Sequence, residues 1–173
     1  MRTQLLAGVA VLALFGASGQ AQVKTETANR LTADDTFATK AAEGGMAEVE
    51  LGKLAQQHAS NDAVKQFGTR MVDDHTKAND ELKMIAAKKS ITLPTALNSK
   101  DQATMDRLSK LNGAAFDKAY MADMVRDHKE DISEFQREAD HGSDPDFKAF
   151  ASKTLPTLQD HLKMAQETDS KVK

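Results

Sequence analysis

The sequence predicts an all-α fold: an antiparallel four-helix bundle with a short extra helix in the connection between helices two and three. Three observations carry this. Four long segments repeat apolar residues at alternating steps of three and four, the spacing that lines up one face of a helix. Short polar turns separate the members of each pair while a longer link joins the pairs, and short turns force neighbouring helices to run antiparallel. Composition agrees: aromatics make up 5% of the 173 residues and Trp is absent, while the plentiful Ala, Leu, Met and Lys favour helices over sheets.

Residues 1–21 read as a secretory signal. Arg2 supplies the positive start, Leu5 to Phe15 a short apolar core, and Ala17-Ser18-Gly19-Gln20-Ala21 a small-residue cleavage region. That apolar run is too short to span a bilayer. Residues 22–33 are polar and are expected to form a flexible tail. Residues 34–170 form the bundle domain.

The first helix is expected to start at Asp34 or Asp35, either of which can cap it. Its stripe runs Phe37, Ala41, Gly44, Glu48, Leu51, Ala55, His58. Gly44-Gly45 weakens an isolated helix by roughly 1 kcal/mol per glycine, and the pair is expected to admit a close neighbour. Asn61 caps the second helix, whose stripe is Val64, Phe67, Gly68, Met71, His75, Ala78, Leu82 and Ile85. Lys88-Lys89-Ser90 closes it with cations at the negative end of the helix dipole. Ile91 to Asn98 is expected to be extended around Pro94.

Ser99-Lys100-Asp101-Gln102 is a capping-box pattern opening the short extra helix, to about Leu111. Asn112-Gly113 breaks the chain. The third long helix, from about Ala114 to Asp140, carries Met121, Met124, Val125, His128, Ile132 and Phe135 on one face. Gly142 stops it. Asp144-Pro145 starts the fourth, with a capping aspartate and a proline at the first helical position. Its stripe is Phe147, Phe150, Ala151, Leu155, Leu158, His161, Leu162 and Ala165, and Pro156 is expected to kink it.

No cysteine is present. Disulfides, thiolate metal sites, a lipid-anchored N-terminal cysteine and covalently attached haem are therefore excluded. The formal charge is −3 with signs mixed along the chain, so nucleic acid is not an expected partner. No membrane span is expected in the mature chain. Self-association into a homo-oligomer is compatible with the sequence, and no other partner is legible. Phosphate-binding loops, nucleophile elbows and a His-Glu-x-x-His zinc motif are absent from the sequence, so no catalytic residue is assigned.

The polar residues within the apolar stripes carry what chemistry there is. Met71-Val72-Asp73-Asp74-His75 recurs as Met124-Val125-Arg126-Asp127-His128, and a third Asp-His pair follows at Asp160-His161. At 1.5 Å per residue, Glu48 and His75 both lie about 15–20 Å from the same end of the bundle. His128 and His161 also fall near mid-height. One carboxylate and three imidazoles thus converge at one level, one from each helix. That donor set suits a single transition-metal ion: zinc, iron, copper or manganese. Asp74, Asp127 and Asp160 lie about 100° around the helix from their histidines and are expected to reach a neighbouring helix or water, with a supporting role if one meets a free ring nitrogen. Two readings compete with the metal site. A buried Glu-His hydrogen-bond network satisfies the same groups without metal, and a His-Met pair, using Met71 or Met124, is the set that holds b-type haem.

Ala47-Glu48-Val49-Glu50-Leu51-Gly52-Lys53-Leu54-Ala55, Phe67 to Met71 with Asp74-His75-Thr76, Tyr120 through His128, and Leu155-Pro156 through His161-Leu162 occur in that order. Together they resemble the exported bacterial family of unknown function numbered 4142, whose members are often described as predicted outer-membrane proteins. The resemblance covers roughly residues 34 to 170. It implies a ferritin-like four-helix fold and export to the periplasm or outer envelope, and it supplies no activity. Ferritin-like di-iron proteins use Glu-x-x-His on two helices, and neither His75 nor His161 is preceded by that glutamate. The expectation is therefore a periplasmic or outer-membrane-associated bundle binding one metal through Glu48, His75, His128 and His161. The alternative is a non-catalytic envelope or stress protein with a metal-free polar core.

Overall fold

The computed structural model describes the backbone of residues 18–173 and the side chains of residues 33–173. The expected signal, 1–21, lies outside the residues whose side chains are described. Among the described residues all regular structure is helical: α1 Ser18–His58, α2 Asp62–Lys88, α3 Ser99–Leu108, α4 Gly113–His141 and α5 Pro145–Lys171.

α1 begins earlier than a cap at Asp34 or Asp35 allows, because residues 22–33 contain neither Gly nor Pro and so offer no breaker. Asn61 caps α2 as expected, accepting a hydrogen bond from the Ala63 amide. α3 is capped one residue ahead of the expected box: the Asn98 side chain accepts from the Asp101 amide at 2.9 Å. Gly113 opens α4 at φ 61°, which an L side chain adopts only with strain. Asp144 caps α5 by accepting from the Asp146 and Phe147 amides. α5 continues through Pro156, which is exposed.

α1 packs chiefly on α2 and α4 on α5, with further contacts of α1 on α4 and of α2 on α5. Every one of these neighbours is antiparallel. On α1–α2 Gly52 meets Gly68. On α1–α4 Phe37 meets Phe135 and Glu48 meets His128. On α2–α5 His75 meets His161 and Glu81 meets Lys153. α2 and α4 therefore run in the same direction. The link from Lys89 to Asn112, which includes α3, travels the length of the molecule to allow it. α3 lies against α1 and α4.

Backbone meets backbone most closely at Gly52–Gly68, while Gly45 of the Gly44-Gly45 pair admits the Asn79 side chain of α2, with which a Cβ there would collide. A Cβ on Gly52 would sit 2.6 Å from the Gly68 carbonyl oxygen, whereas one on Gly44 would meet its nearest atom, Asp131 Oδ1, at 3.7 Å. Aspartates fix both ends. Asp117 on α4 accepts from Ser60 N, Ser60 Oγ and Asn61 N at the α1–α2 turn. Asp34 on α1 accepts from Ser143 N and Asp144 N at the α4–α5 turn.

The apolar core is in two parts. One, around Phe67, Met71, Phe116, Tyr120 and Met124, lies toward the α1–α2 turn. The other, around Phe37, Leu82, Phe135, Phe147 and Leu158, lies toward the α4–α5 turn. Glu48, His75, His128 and His161 are buried between them. Taking such groups out of water costs several kcal/mol unless each is partnered, so this layer is where a functional reading starts.

Candidate metal centre

α2, α4 and α5 each contribute one imidazole. His75, His128 and His161 are 7%, 0% and 0% exposed, and one ring nitrogen of each lies within 4.8 Å of the other two. The ring centroids are 5.4–5.8 Å apart. Each histidine occupies the inward stripe of its helix, one turn after Met71 and Met124 in the first two cases, and those methionines fill the adjacent core. Haem between His and Met needs a slot as wide as the macrocycle, and three imidazoles in mutual contact fill that space.

The outer nitrogens are already committed. His128 Nδ1 lies 3.0 Å from the Met124 carbonyl oxygen. A carbonyl only accepts, so Nδ1 carries the hydrogen and Nε2 presents a lone pair. His161 Nε2 lies 3.0 Å from Asp74 Oδ2. Burial by itself would raise the Asp74 carboxyl, but hydrogen bonds from Arg70 and His161 hold it below its usual value. Asp74 is therefore an ionised acceptor, His161 Nε2 donates, and Nδ1 presents its lone pair. These two lone-pair nitrogens face each other at 3.4 Å. His75 Nε2, also buried, has no hydrogen-bond partner. Burial pushes all three imidazoles below their ordinary value, well below for His75 and to about 4 for His161. At neutral pH the cluster holds neutral rings, the protonation state that binds metal.

Glu48 is placed differently from the histidines. Its Oε1 is 3.5 Å from His128 Nδ1, the nitrogen facing away from the cluster. Its Oε2 has no partner, and burial pushes its carboxyl well up, with Asp127 and Asp101 adding to the shift. Of the three aspartates that precede histidines, Asp74 reaches the neighbouring helix and holds His161. Asp127 pairs with Arg126 at 3.2 Å, and Asp160 is exposed.

Two groups escape the sequence reading. Asp131 lies one turn beyond His128, and burial raises its carboxyl to about 7, with Glu48 contributing. Its i+3 spacing from His128 was the available signal. The Tyr120 hydroxyl is buried without a partner. It sits on an apolar stripe, where nothing in the sequence separates it from core filler.

Fold and site together define an all-α domain with a candidate three-imidazole metal centre in its interior. The chain belongs to the DUF4142 family: the model for that family, described as a domain of unknown function, matches residues 18–168. No curated protein matches the chain. Solved structures share the helical fold, two DUF305 proteins among them. A DUF305 fragment from Deinococcus radiodurans superposes with a TM-score of 0.71 at 10% identity, covering 80% of this chain and 96% of that one. A DUF305 protein from Streptomyces coelicolor, described as secreted, gives 0.69 at 13% identity, with 81% and 92% covered. At such identities the likeness concerns the fold alone. Among the described residues no helix is long and apolar enough to cross a membrane.

Proposed function

We propose that this protein is an exported metal-binding domain with a ferritin-like four-helix architecture, holding one transition-metal cation through His75, His128 and His161. Its role is to retain the ion, not to turn over a substrate. The ferritin-like reading is supported by two antiparallel hairpins joined through one long crossover that leaves α2 and α4 parallel. Export is supported by the signal pattern of residues 1–21 and by the description of the Streptomyces neighbour as secreted.

The observation that carries the metal reading is the 3.4 Å approach of His128 Nε2 and His161 Nδ1, both with lone pairs inward. Two such lone pairs repel unless a cation lies between them. With metal–nitrogen bonds of about 2.0–2.1 Å, the edge of a tetrahedron is about 3.3–3.4 Å. A proton is the competing cation and underlies the alternative of a metal-free polar network. Charging an imidazole that burial holds to about 4 costs about 4 kcal/mol at pH 7, which favours the metal. Asp74 supports His161 from outside the ligand set, and Glu48 stands beside His128 instead of completing that set. Three imidazoles suit zinc, copper or iron better than manganese, which prefers oxygen donors.

The test is direct. Tag-free mature protein, dialysed against zinc and then against metal-free buffer, is expected to retain one ion per chain by elemental analysis. Retention is expected to disappear in His128→Ala and His161→Ala. A folded wild-type protein that retains no zinc, copper or iron overturns the proposal.

A further inference from the structure

The layer of histidines has sulfur on one side and hydrocarbon on the other. One turn from each clustered histidine stands a methionine: Met71 before His75, Met124 before His128 and Met164 after His161. Because α5 runs antiparallel to α2 and α4, all three steps lead the same way along the bundle, toward the α1–α2 turn. At 1.5 Å per residue these methionines form a layer about 4.5–6 Å from that of the histidines. Met71 and Met124 are fully buried, and Met164 packs against the same apolar cluster. The apolar residues one turn the other way are Ala78, Ile132 and Leu158, which belong to the other cluster.

The ligand set itself is neutral and dry. His128 and His161 are fully buried, and Glu48 stands at the nitrogen of His128 that faces away from the cluster, so no carboxylate joins the imidazoles. The charge of Asp74 is already met by Arg70. The cost of burying an ion grows with the square of its charge, so a monovalent ion costs about a quarter of a divalent one in the same surroundings. Zinc completes four ligands and must draw a water into this layer. Copper(I) is monovalent and is satisfied by three nitrogens in a plane. An equilateral triangle on the 3.4 Å separation of His128 Nε2 and His161 Nδ1 has its centre about 2.0 Å from each corner, a metal–imidazole bond length. Thioether sulfur is a soft donor that selects copper(I) over harder ions.

We propose that the ion this centre selects is copper(I), held by His75, His128 and His161 against the thioethers of Met71, Met124 and Met164. The proposal rests on the metal-binding reading above and names the ion. Zinc occupies the same nitrogens and is held less tightly. Methionine also serves helical cores as flexible filler. Filling supports every ion equally, whereas a sulfur donor favours copper(I) alone, and that difference is measurable.

Tag-free mature protein, metal-free and under nitrogen, is titrated with copper(I) supplied as its acetonitrile complex, in competition with bicinchoninate. Zinc chloride is titrated in parallel against a chromophoric chelator. Wild type is expected to bind one copper(I) per chain at least about 100-fold more tightly than zinc. The variant Met71→Leu/Met124→Leu/Met164→Leu is expected to lose at least about tenfold in copper(I) affinity and to keep its zinc affinity within about twofold. Met121→Leu makes the same change in the same core two turns from His128, about 10 Å away, and is expected to leave both affinities unchanged. A wild type that holds zinc as tightly as copper(I) refutes the copper assignment while the metal site stands. So does a triple variant with unchanged copper(I) affinity, or an equal loss in Met121→Leu. A protein that binds neither ion refutes both. Unchanged zinc affinity in the triple variant establishes that its core is intact.

Discussion

His128 Nε2 and His161 Nδ1 face each other at 3.4 Å, while each ring's other nitrogen is bound away from the pair, His128 to the Met124 carbonyl and His161 to Asp74. The backbone of α4 and an aspartate of α2 thus set the tautomers of two rings on different helices. Neither ring can turn its lone pair aside without giving up an outer hydrogen bond, worth about 1 kcal/mol for the neutral carbonyl and about 1.5–3 kcal/mol for the ionised carboxylate.

Asp74→Ala tests that arrangement. His161 keeps its place in the core but loses the acceptor that fixes its tautomer. Metal affinity is expected to fall about 10–100-fold with stoichiometry still one, the usual scale for removing such a support. Competition titration against a chromophoric chelator measures it. Affinity unchanged in Asp74→Ala removes Asp74 from the account.

The pH dependence has a definite sign. His161 falls to about 4 when folded, against about 6.5 in the unfolded chain. A depressed value means that the unfolded state takes up the proton first. The stabilisation is complete above about 6.5 and is lost as pH falls through about 4. In metal-free protein, the stability advantage of wild type over His161→Gln is expected to shrink by about 1–3 kcal/mol between pH 7 and pH 4. Urea denaturation in the presence of chelator measures it, and an advantage that grows on acidification contradicts the burial of this ring.

Glu138 carries the opposite sign. Burial raises its carboxyl to about 7, and Asp34 adds to the shift by charge and by hydrogen bonding. Its contribution is present at low pH and lost as pH rises through about 7. Glu138→Gln keeps a donor toward Asp34 and never ionises. It is expected to be more stable than wild type at pH 8, by on the order of 1–2 kcal/mol, and near parity at pH 5. Thermal melts at the two pH values distinguish this from a general packing effect, which moves both equally.

Gly52→Ala probes the α1–α2 contact. The added Cβ would stand 2.6 Å from the Gly68 carbonyl oxygen, a backbone atom that cannot swing aside. A loss of about 1–3 kcal/mol is expected. Gly44→Ala meets only the Asp131 carboxylate at 3.7 Å and is expected to gain some fraction of the roughly 1 kcal/mol helix-propensity difference. Denaturant midpoints of the two variants should move in opposite directions.

Much of the architecture was legible because it depends on local pattern. The caps at Asn61 and Asp144, the breaks at Gly113 and Gly142, and the three inward histidines all follow from spacing and turn chemistry. What was not legible depends on which faces meet. Gly44-Gly45 does admit a neighbour, since Gly45 gives room to the Asn79 side chain of α2, but the contact of backbone on backbone falls where single glycines on two helices coincide, at Gly52 and Gly68. Glu48 shares a height with the histidines, but height does not say on which side of the His128 ring it falls.

The repeated Met-Val-x-Asp-His motif did not mark equivalent helices either, since its copies lie on α2 and α4. The two hairpins instead correspond at one constant offset: Asp34 with Asp117, Glu48 with Asp131, His58 with His141, Ser60 with Ser143 and Phe67 with Phe150. The end-capping aspartates and the pair Glu48 and Asp131 follow that relation, and the three clustered histidines do not. The site is thus an asymmetric feature on a nearly symmetric frame.

The central claim is that three imidazoles share one ion. X-ray absorption at the zinc edge of zinc-loaded, tag-free protein tests it most directly. The account predicts one zinc per chain with three imidazole nitrogens at about 2.0–2.1 Å, and loss of that imidazole signature when His128 or His161 is replaced by alanine. A zinc surrounded by oxygen alone, or one whose spectrum is unchanged in both variants, contradicts it.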